Sequence, residues 1–288
     1  MKDVPIKDFF LGEDQPLTVI SGPCVIESMD HALFCAEKLV HIFAAEKTIN
    51  YVYKSSYDKA NRSSFSSFRG PGLEEGLKIL QRVKETFNIP LLTDVHTPEE
   101  ATLAAQVCDM LQIPAFLCRQ TDLIVAAART GAVINVKKGQ FLSPWDMKNV
   151  VDKILAVGNE KIILTDRGTM HGYNNLVTDM RCAQIMKSFG FPICFDASHS
   201  VQIPGGYGTA SGGQREFIPT LSRAAIAAGY NCLFLESHPN PAIAKSDKDS
   251  VYPFSELPQL LREINTLYSV IQGFKQCLPK QPDCASCC

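Results

Sequence analysis

Ile89-Pro-Leu-Leu-Thr-Asp94-Val-His96-Thr97-Pro98-Glu99-Glu100 contains the architecture in miniature. A short run that is apolar on both faces suits a strand buried on both sides. It ends in an acid and an imidazole, after which Thr97 caps a helix with Pro98 in its first turn. A strand therefore runs directly into a helix, and reactive side chains sit at the join.

The same unit recurs along the chain. Residues 17–27 read as a strand ending in a Gly-Pro turn, with a helix from Ser28 to about residue 46. A strand at 51–54 leads through a long basic loop to a helix over 73–87. Strands at 110–116, 132–139 and 161–168 precede helices over 120–129, 143–157 and 178–189. The strand at 192–199 is followed by a Gly-rich loop and a helix over 217–228, and the strand at 232–238 precedes a last helix starting near Ser255. Eight strand-then-helix units predict a closed parallel (β/α)8 barrel, the TIM-barrel architecture, with residues 1–16 as a short lead-in. An open doubly wound sheet is the alternative, but no Gly-x-Gly-x-x-Gly follows the first strand. Residues 1–276 are expected to form one domain, and residues 277–288, with Cys284, Cys287 and Cys288, a flexible tail.

Composition narrows the class. The 288 residues carry a net charge of −2 and 45% hydrophobic residues, which suits a globular core and gives no global attraction for nucleic acid or an acidic membrane. The start lacks the apolar segment of a signal peptide, and no run is long enough to span a bilayer, so a cytoplasmic protein is expected. Most of the 11 cysteines sit in apolar stretches, where a free thiol packs as a small hydrophobe.

Polar residues fall at the C-terminal ends of the strands, the face on which barrels of this type build their sites. Lys54, Lys59, Arg62, Arg119, Lys137 and Arg167 form a basic set suited to substrates bearing phosphate and carboxylate. The loop that carries three of them, from Lys54 to Gly72, also offers Asn61 and several serines as donors to hydroxyls. Strands 7, 8 and 1 are neighbours in a closed barrel, so His199, Glu236 and Cys24 can converge, with Asp247 from the loop after strand 8. Thiolate, imidazole and carboxylates suit Zn2+, Fe2+ or Mn2+. A buried thiol and a core histidine would look the same in sequence, so residue types alone leave both readings open.

Several motifs together resemble the 3-deoxy-D-manno-octulosonate 8-phosphate synthase family. They are Gly-Pro-Cys-Val-Ile-Glu-Ser, Lys-Ala-Asn-Arg-Ser-Ser, Phe-Arg-Gly-Pro-Gly-Leu-Glu-Glu-Gly, Leu-Thr-Asp-Val-His, Ile-Pro-Ala-Phe-Leu-Cys-Arg-Gln-Thr-Asp-Leu, Ile-Asn-Val-Lys-Lys-Gly-Gln-Phe, Asp-Arg-Gly, Phe-Asp-Ala-Ser-His-Ser and Glu-Ser-His-Pro-Asn-Pro, in order over about residues 10–275. The resemblance implies a homotetrameric barrel that condenses phosphoenolpyruvate with arabinose 5-phosphate and water, for lipopolysaccharide synthesis. It assigns Lys59, Lys137 and Arg167 to phosphoenolpyruvate, helped by Lys54, Gln112 and Arg119. Asn61 is assigned to the pentose hydroxyls and Arg62 and Ser63 to its phosphate, while Asp94 and His96 line the site. Lys59, Lys137 and Asp247 are the candidate catalytic residues. Cys24 places the chain with the family's metal-dependent class, with His199, Glu236 and Asp247 completing the ligands. Asp249 is a rival to Asp247, because Lys248 stands where the family usually has Gly.

Two alternatives have distinct signatures. A sister synthase that uses erythrose 4-phosphate reads its aldose with Lys-Pro-Arg-Thr/Ser, and Lys-Ala-Asn-Arg-Ser-Ser stands in that place. A non-catalytic metal or thiol sensor would account for the cysteines but not for the basic mouth of the barrel.

Overall fold

The computed structural model describes residues 1–206, 208 and 211–277. The tail cysteines Cys284, Cys287 and Cys288 lie outside the described residues. Eight parallel strands form the centre: β1 (Leu17–Gly22), β2 (Ile49–Lys54), β3 (Leu91–Asp94), β4 (Met110–Ile113), β5 (Val133–Lys137), β6 (Ile162–Asp166), β7 (Ile193–Asp196) and β8 (Cys232–His238). Each pairs with the next. β8 closes the ring by pairing with β1, placing Cys232 opposite Thr18 and Glu236 opposite Gly22. Gly22 is required there, because a Cβ would lie 2.1 Å from the Lys54 carbonyl oxygen.

The helices are α1 (Met29–Ala44), α2 (Leu73–Phe87), α3 (Pro98–Ala104), α4 (Thr121–Arg129), α5 (Met147–Leu155), α6 (Arg181–Lys187), α7 (Ile218–Ala228) and α8 (Leu257–Cys277). The expected caps form: Ser28 accepts the His31 N–H and Thr97 the Glu100 N–H. Two starts differ from the sequence reading. Ser143 caps a 3-10 turn over Pro144–Asp146, and α5 begins only at Met147. α6 begins at Arg181 rather than near Thr178, because Asp179 takes the Arg181 N–H and Leu176–Val177 pairs with Thr169–Met170 in a small antiparallel hairpin.

Alternation along the strands separates two cores. Outward residues such as Leu17, Val19, Leu91 and Leu111 pack under the helices. Inward residues from all eight strands (Ile20, Val52, Leu92, Met110, Val133, Ile163, Cys194, Cys232 and Phe234) form a second cluster with Val4, Ile6 and Leu11. Those last three belong to an antiparallel hairpin, Val4–Ile6 with Phe9–Leu11. The lead-in is therefore a plug that seals the N-terminal end of the barrel. Two residues further along, the same inward face turns polar on seven of the eight strands, with Lys54, Asp94, Gln112, Asn135, Thr165, Asp196 and Glu236 all buried, while β1 ends in Gly22.

Candidate active site at the C-terminal end of the barrel

The cations that end the strands are already paired. Lys54 Nζ lies 2.5 Å from Glu236 Oε1 and 3.1 Å from the Cys24 carbonyl oxygen, with both Lys54 and Glu236 1% exposed. Lys59 stands 3.8 Å from both Asp94 and Glu236. Lys137 pairs with Asp196 at 2.6 Å and lies over the Phe234 ring. Arg167 Nη2 donates to the His199 carbonyl at 3.1 Å and to Gln202 Oε1 at 2.5 Å. The mouth is thus a near-balanced lattice of buried ions. Burial alone would raise the pKa of Glu236, but Lys54, His199 and Lys59 hold it well below the usual range. Asp94 and Asp196 are depressed in the same way by their cations against burial.

Three of the four sequence-predicted ligands converge. Cys24 Sγ donates to Asp247 Oδ2 at 3.0 Å, and one ligand atom from each of Cys24, Glu236 and Asp247 falls within a 4.8 Å group. His199 lies just outside that group, with Nε2 3.6 Å from Glu236 Oε2. Asp249, the rival, is not in the cluster. The set fits a divalent ion on two further grounds. Glu236 Oε2 is buried without a hydrogen-bond partner. Asp196 Oδ1 also accepts from His199 Nδ1 at 3.0 Å, an arrangement that leaves the Nε2 lone pair free for a metal. Burial, together with Glu236 and Asp247, pushes the Cys24 thiol up, in keeping with the thiol donating to Asp247.

A second trio of metal-ligating types, Glu27, His31 and His238, gathers nearby. His238 Nδ1 accepts the Asn240 N–H at 3.1 Å, which puts its proton on Nε2, 3.2 Å from Glu27 Oε1. A protonated Nε2 is not a ligand. Glu27 also accepts the Lys245 N–H at 3.0 Å, so the trio ties down the loop that carries Asp247.

A hydrogen-bonded chain crosses the barrel below the ions. Ser56 and Gln112 both donate to Asp94, Asn135 Nδ2 donates to Gln112 Oε1 at 3.0 Å, and Thr165 donates to Asn135 Oδ1 at 2.5 Å. His96 is held at the rim: Glu100 accepts its backbone N–H at 2.7 Å and lies 3.1 Å from its Nδ1, while the Tyr57 hydroxyl donates to the same oxygen at 2.6 Å.

The long loop after β2 is less converged. Arg62 reaches Ser246 Oγ at 2.7 Å and the Lys245 carbonyl at 3.3 Å, whereas Asn61 and Ser63 are exposed. Arg119 is also exposed, and Lys153 holds its carbonyl at 3.1 Å. Sequence reading missed Asp196, Gln202, Ser246, Ser56, Asn135 and Thr165. Asp196 had a signal, since it shares the strand-end position of Asp94 and Glu236. Gln202 and Ser246 lie in aperiodic loops and had none.

Residues 3–272 match the DAHP synthetase I family. The 2-dehydro-3-deoxyphosphooctonate aldolase of Protochlamydia amoebophila is 59% identical over 272 residues, covering 94% of this chain and 98% of that protein. Proteins of the same name from Trichlorobacter lovleyi and Geobacter metallireducens are each 55% identical over 271 residues, 94% of this chain and 99% of theirs. The chain belongs to the DAHP synthetase I family, among its 2-dehydro-3-deoxyphosphooctonate aldolases.

Proposed function

We propose that this barrel condenses phosphoenolpyruvate with D-arabinose 5-phosphate and water, releasing 3-deoxy-D-manno-octulosonate 8-phosphate and inorganic phosphate, with a divalent ion held by Cys24, His199, Glu236 and Asp247. The observation that carries this reading is the convergence of Lys54, Lys59, Lys137 and Arg167 on one end of the barrel, with Arg62 above them. Two anionic substrates repel each other, and fixed cations are what bring the enol carbon to the aldehyde.

Lys59, Lys137 and Arg167 hold the phosphate and carboxylate of phosphoenolpyruvate, with Lys54, Gln112 and Arg119 in support. Arg62 and Ser63 take the pentose phosphate, Asn61 meets the pentose hydroxyls, and Asp94 and His96 line the cavity. C3 of the enol forms a bond to the aldehyde carbon, whose oxygen takes a proton. Water adds at C2 and loses a proton, giving a phosphorylated hemiketal. Its C2–O bond to phosphate then breaks as the C2 hydroxyl passes its proton to the departing phosphate, leaving the ketone and inorganic phosphate. Lys59 and Lys137, each beside a carboxylate, are assigned the catalytic role of stabilising the anions that form, and the carboxylates beside Lys59 help to hold it as a cation. A bound ion would supply Lewis-acid polarisation or hold Cys24, His199, Glu236 and Asp247 in place. The reading extends to a cytoplasmic homotetramer that feeds lipopolysaccharide synthesis. Among the described residues no helix is long and apolar enough to cross a membrane.

Phosphate release tests it, measured with phosphoenolpyruvate and either arabinose 5-phosphate or erythrose 4-phosphate. Turnover with the pentose phosphate and little with the tetrose phosphate is the expected result. Preference for erythrose 4-phosphate would favour the sister reaction, and no turnover with either would favour the sensor.

A further inference from the structure

Asp247 is connected, through one neutral side chain on each oxygen, to both anion-binding arginines. Its Oδ1 accepts from Gln202 Nε2 at 2.7 Å, and the same amide's Oε1 accepts from Arg167 at 2.5 Å. Its Oδ2 accepts from Ser246 Oγ at 3.0 Å, and that hydroxyl accepts from Arg62 at 2.7 Å. Gln202 and Ser246 come from different segments of the chain, and each donates to a different oxygen of Asp247. Both arginines keep capacity in reserve, since Arg62 Nε and Arg167 Nε are buried without a hydrogen-bond partner. A buried guanidinium N–H left unpaired is costly, and an arriving phosphate or carboxylate satisfies it. The backbone of Asp247 is fixed as well: it has φ 49°, and its carbonyl accepts the N–H groups of Ser250 and Val251 at 2.8 and 3.0 Å. Its carboxylate therefore responds to what its two partners do, not to loop drift.

We infer that Gln202 and Ser246 are positioning residues that couple the ligand Asp247 separately to the two substrate sites, Gln202 to phosphoenolpyruvate through Arg167 and Ser246 to the pentose phosphate through Arg62. This rests on the proposed function, which assigns those arginines and that ligand. While each arginine donates to its relay, the relay is polarised to donate more strongly to Asp247 and draws charge away from the ion's ligand. A substrate anion on the unpaired Nε draws the guanidinium's positive charge towards itself, so the Nη donor polarises the relay less and Asp247 keeps more charge for the ion. Each substrate therefore tightens the metal, and the metal tightens each substrate by the same factor.

The test is Zn2+ affinity measured by competition with a chromophoric chelator, alone and with each substrate singly, in wild type, Gln202→Ala and Ser246→Ala. All four ligands remain in both variants, so each still binds one ion, which checks that the site has folded. In wild type, each substrate should tighten Zn2+ by about fivefold or more, within the range of ordinary allosteric couplings. Gln202→Ala should lose the effect of phosphoenolpyruvate and keep that of arabinose 5-phosphate, and Ser246→Ala should do the reverse. Loss of both effects in either variant, or retention of both, overturns separate relays and leaves a merely structural role. A wild type that releases phosphate while its Zn2+ affinity ignores both substrates overturns the coupling but leaves the proposed function standing. Absence of both binding and turnover removes the proposed function itself.

Discussion

The two ends of the barrel interior use the same strands two residues apart and solve opposite problems. At the N-terminal end, Val52, Leu92, Met110 and Cys194 close on the hairpin residues Val4, Ile6 and Leu11 in an apolar cluster with no charged member. At the C-terminal end, Lys54, Asp94, Gln112 and Asp196 occupy the next inward positions and are just as buried. Apolar packing there would have been the easier route to stability, since buried ion pairs often do no better than hydrophobic replacements. On the proposed function the charged end serves binding and chemistry, and the apolar end below it carries the fold.

Removing one charge from the polar end should have the largest effect. Glu236→Ala strips Lys54 and Lys59 of a carboxylate, and an uncompensated buried charge costs about 3–5 kcal/mol. Urea unfolding should show that loss together with loss of phosphate release. A stable, active variant would mean that the lattice is ornamental.

The apolar end offers the contrasting case. Leu92→Ala removes side-chain volume two residues below Asp94 and should cost about 2–4 kcal/mol in urea unfolding. KM for both substrates should hold near wild type. A large change in either KM would break the separation between the two ends.

Within the polar end, Arg62→Ala sharpens the division of labour. It should weaken arabinose 5-phosphate by about 2–3 kcal/mol, the worth of a charge-assisted contact, and barely affect phosphoenolpyruvate. Calorimetric titration with each substrate reads this directly, and equal losses would contradict the assignment.

How much of this was legible in the chain follows from the same contrast. The barrel was readable because every strand repeats one pattern, apolar residues and then a polar end, and Thr97 and Ser28 mark helix starts by chemistry that acts locally. Lys54, Lys137, Asp94 and Glu236 at the strand ends were readable for the same reason, whereas Asp196 carried the same signal and was missed. The plug was not, because residues 4–11 reveal their role only against Ile20 and Leu92, which are far away in the chain. Gln202 and Ser246 were invisible as well: each earns its place from partners on other loops, a relation that no periodicity records.

The smallest effect belongs to the rim. Burial alone would raise the Glu100 pKa, but hydrogen bonds from His96 and Tyr57 bring it down to about 2. A depressed carboxyl contributes stability that is fully present above its unfolded value of about 4.3 and is lost as pH falls towards 2. Comparing wild type with Glu100→Gln in urea at pH 6 and at pH 3 should show an advantage of about 1 kcal/mol, after allowing for solvent screening, that shrinks at the lower pH. An advantage that grows on acidification would reverse the sign of the account.

On the proposed function, the charged end of the barrel is an active site completed by a divalent ion on Cys24, His199, Glu236 and Asp247. Phosphate release from phosphoenolpyruvate and arabinose 5-phosphate, measured before chelation, after verified removal of metal and after adding back Zn2+, Fe2+ or Mn2+, tests it most directly. The account predicts activity that disappears with the metal and returns with at least one of these ions. Full activity in a preparation shown to be metal-free would contradict it.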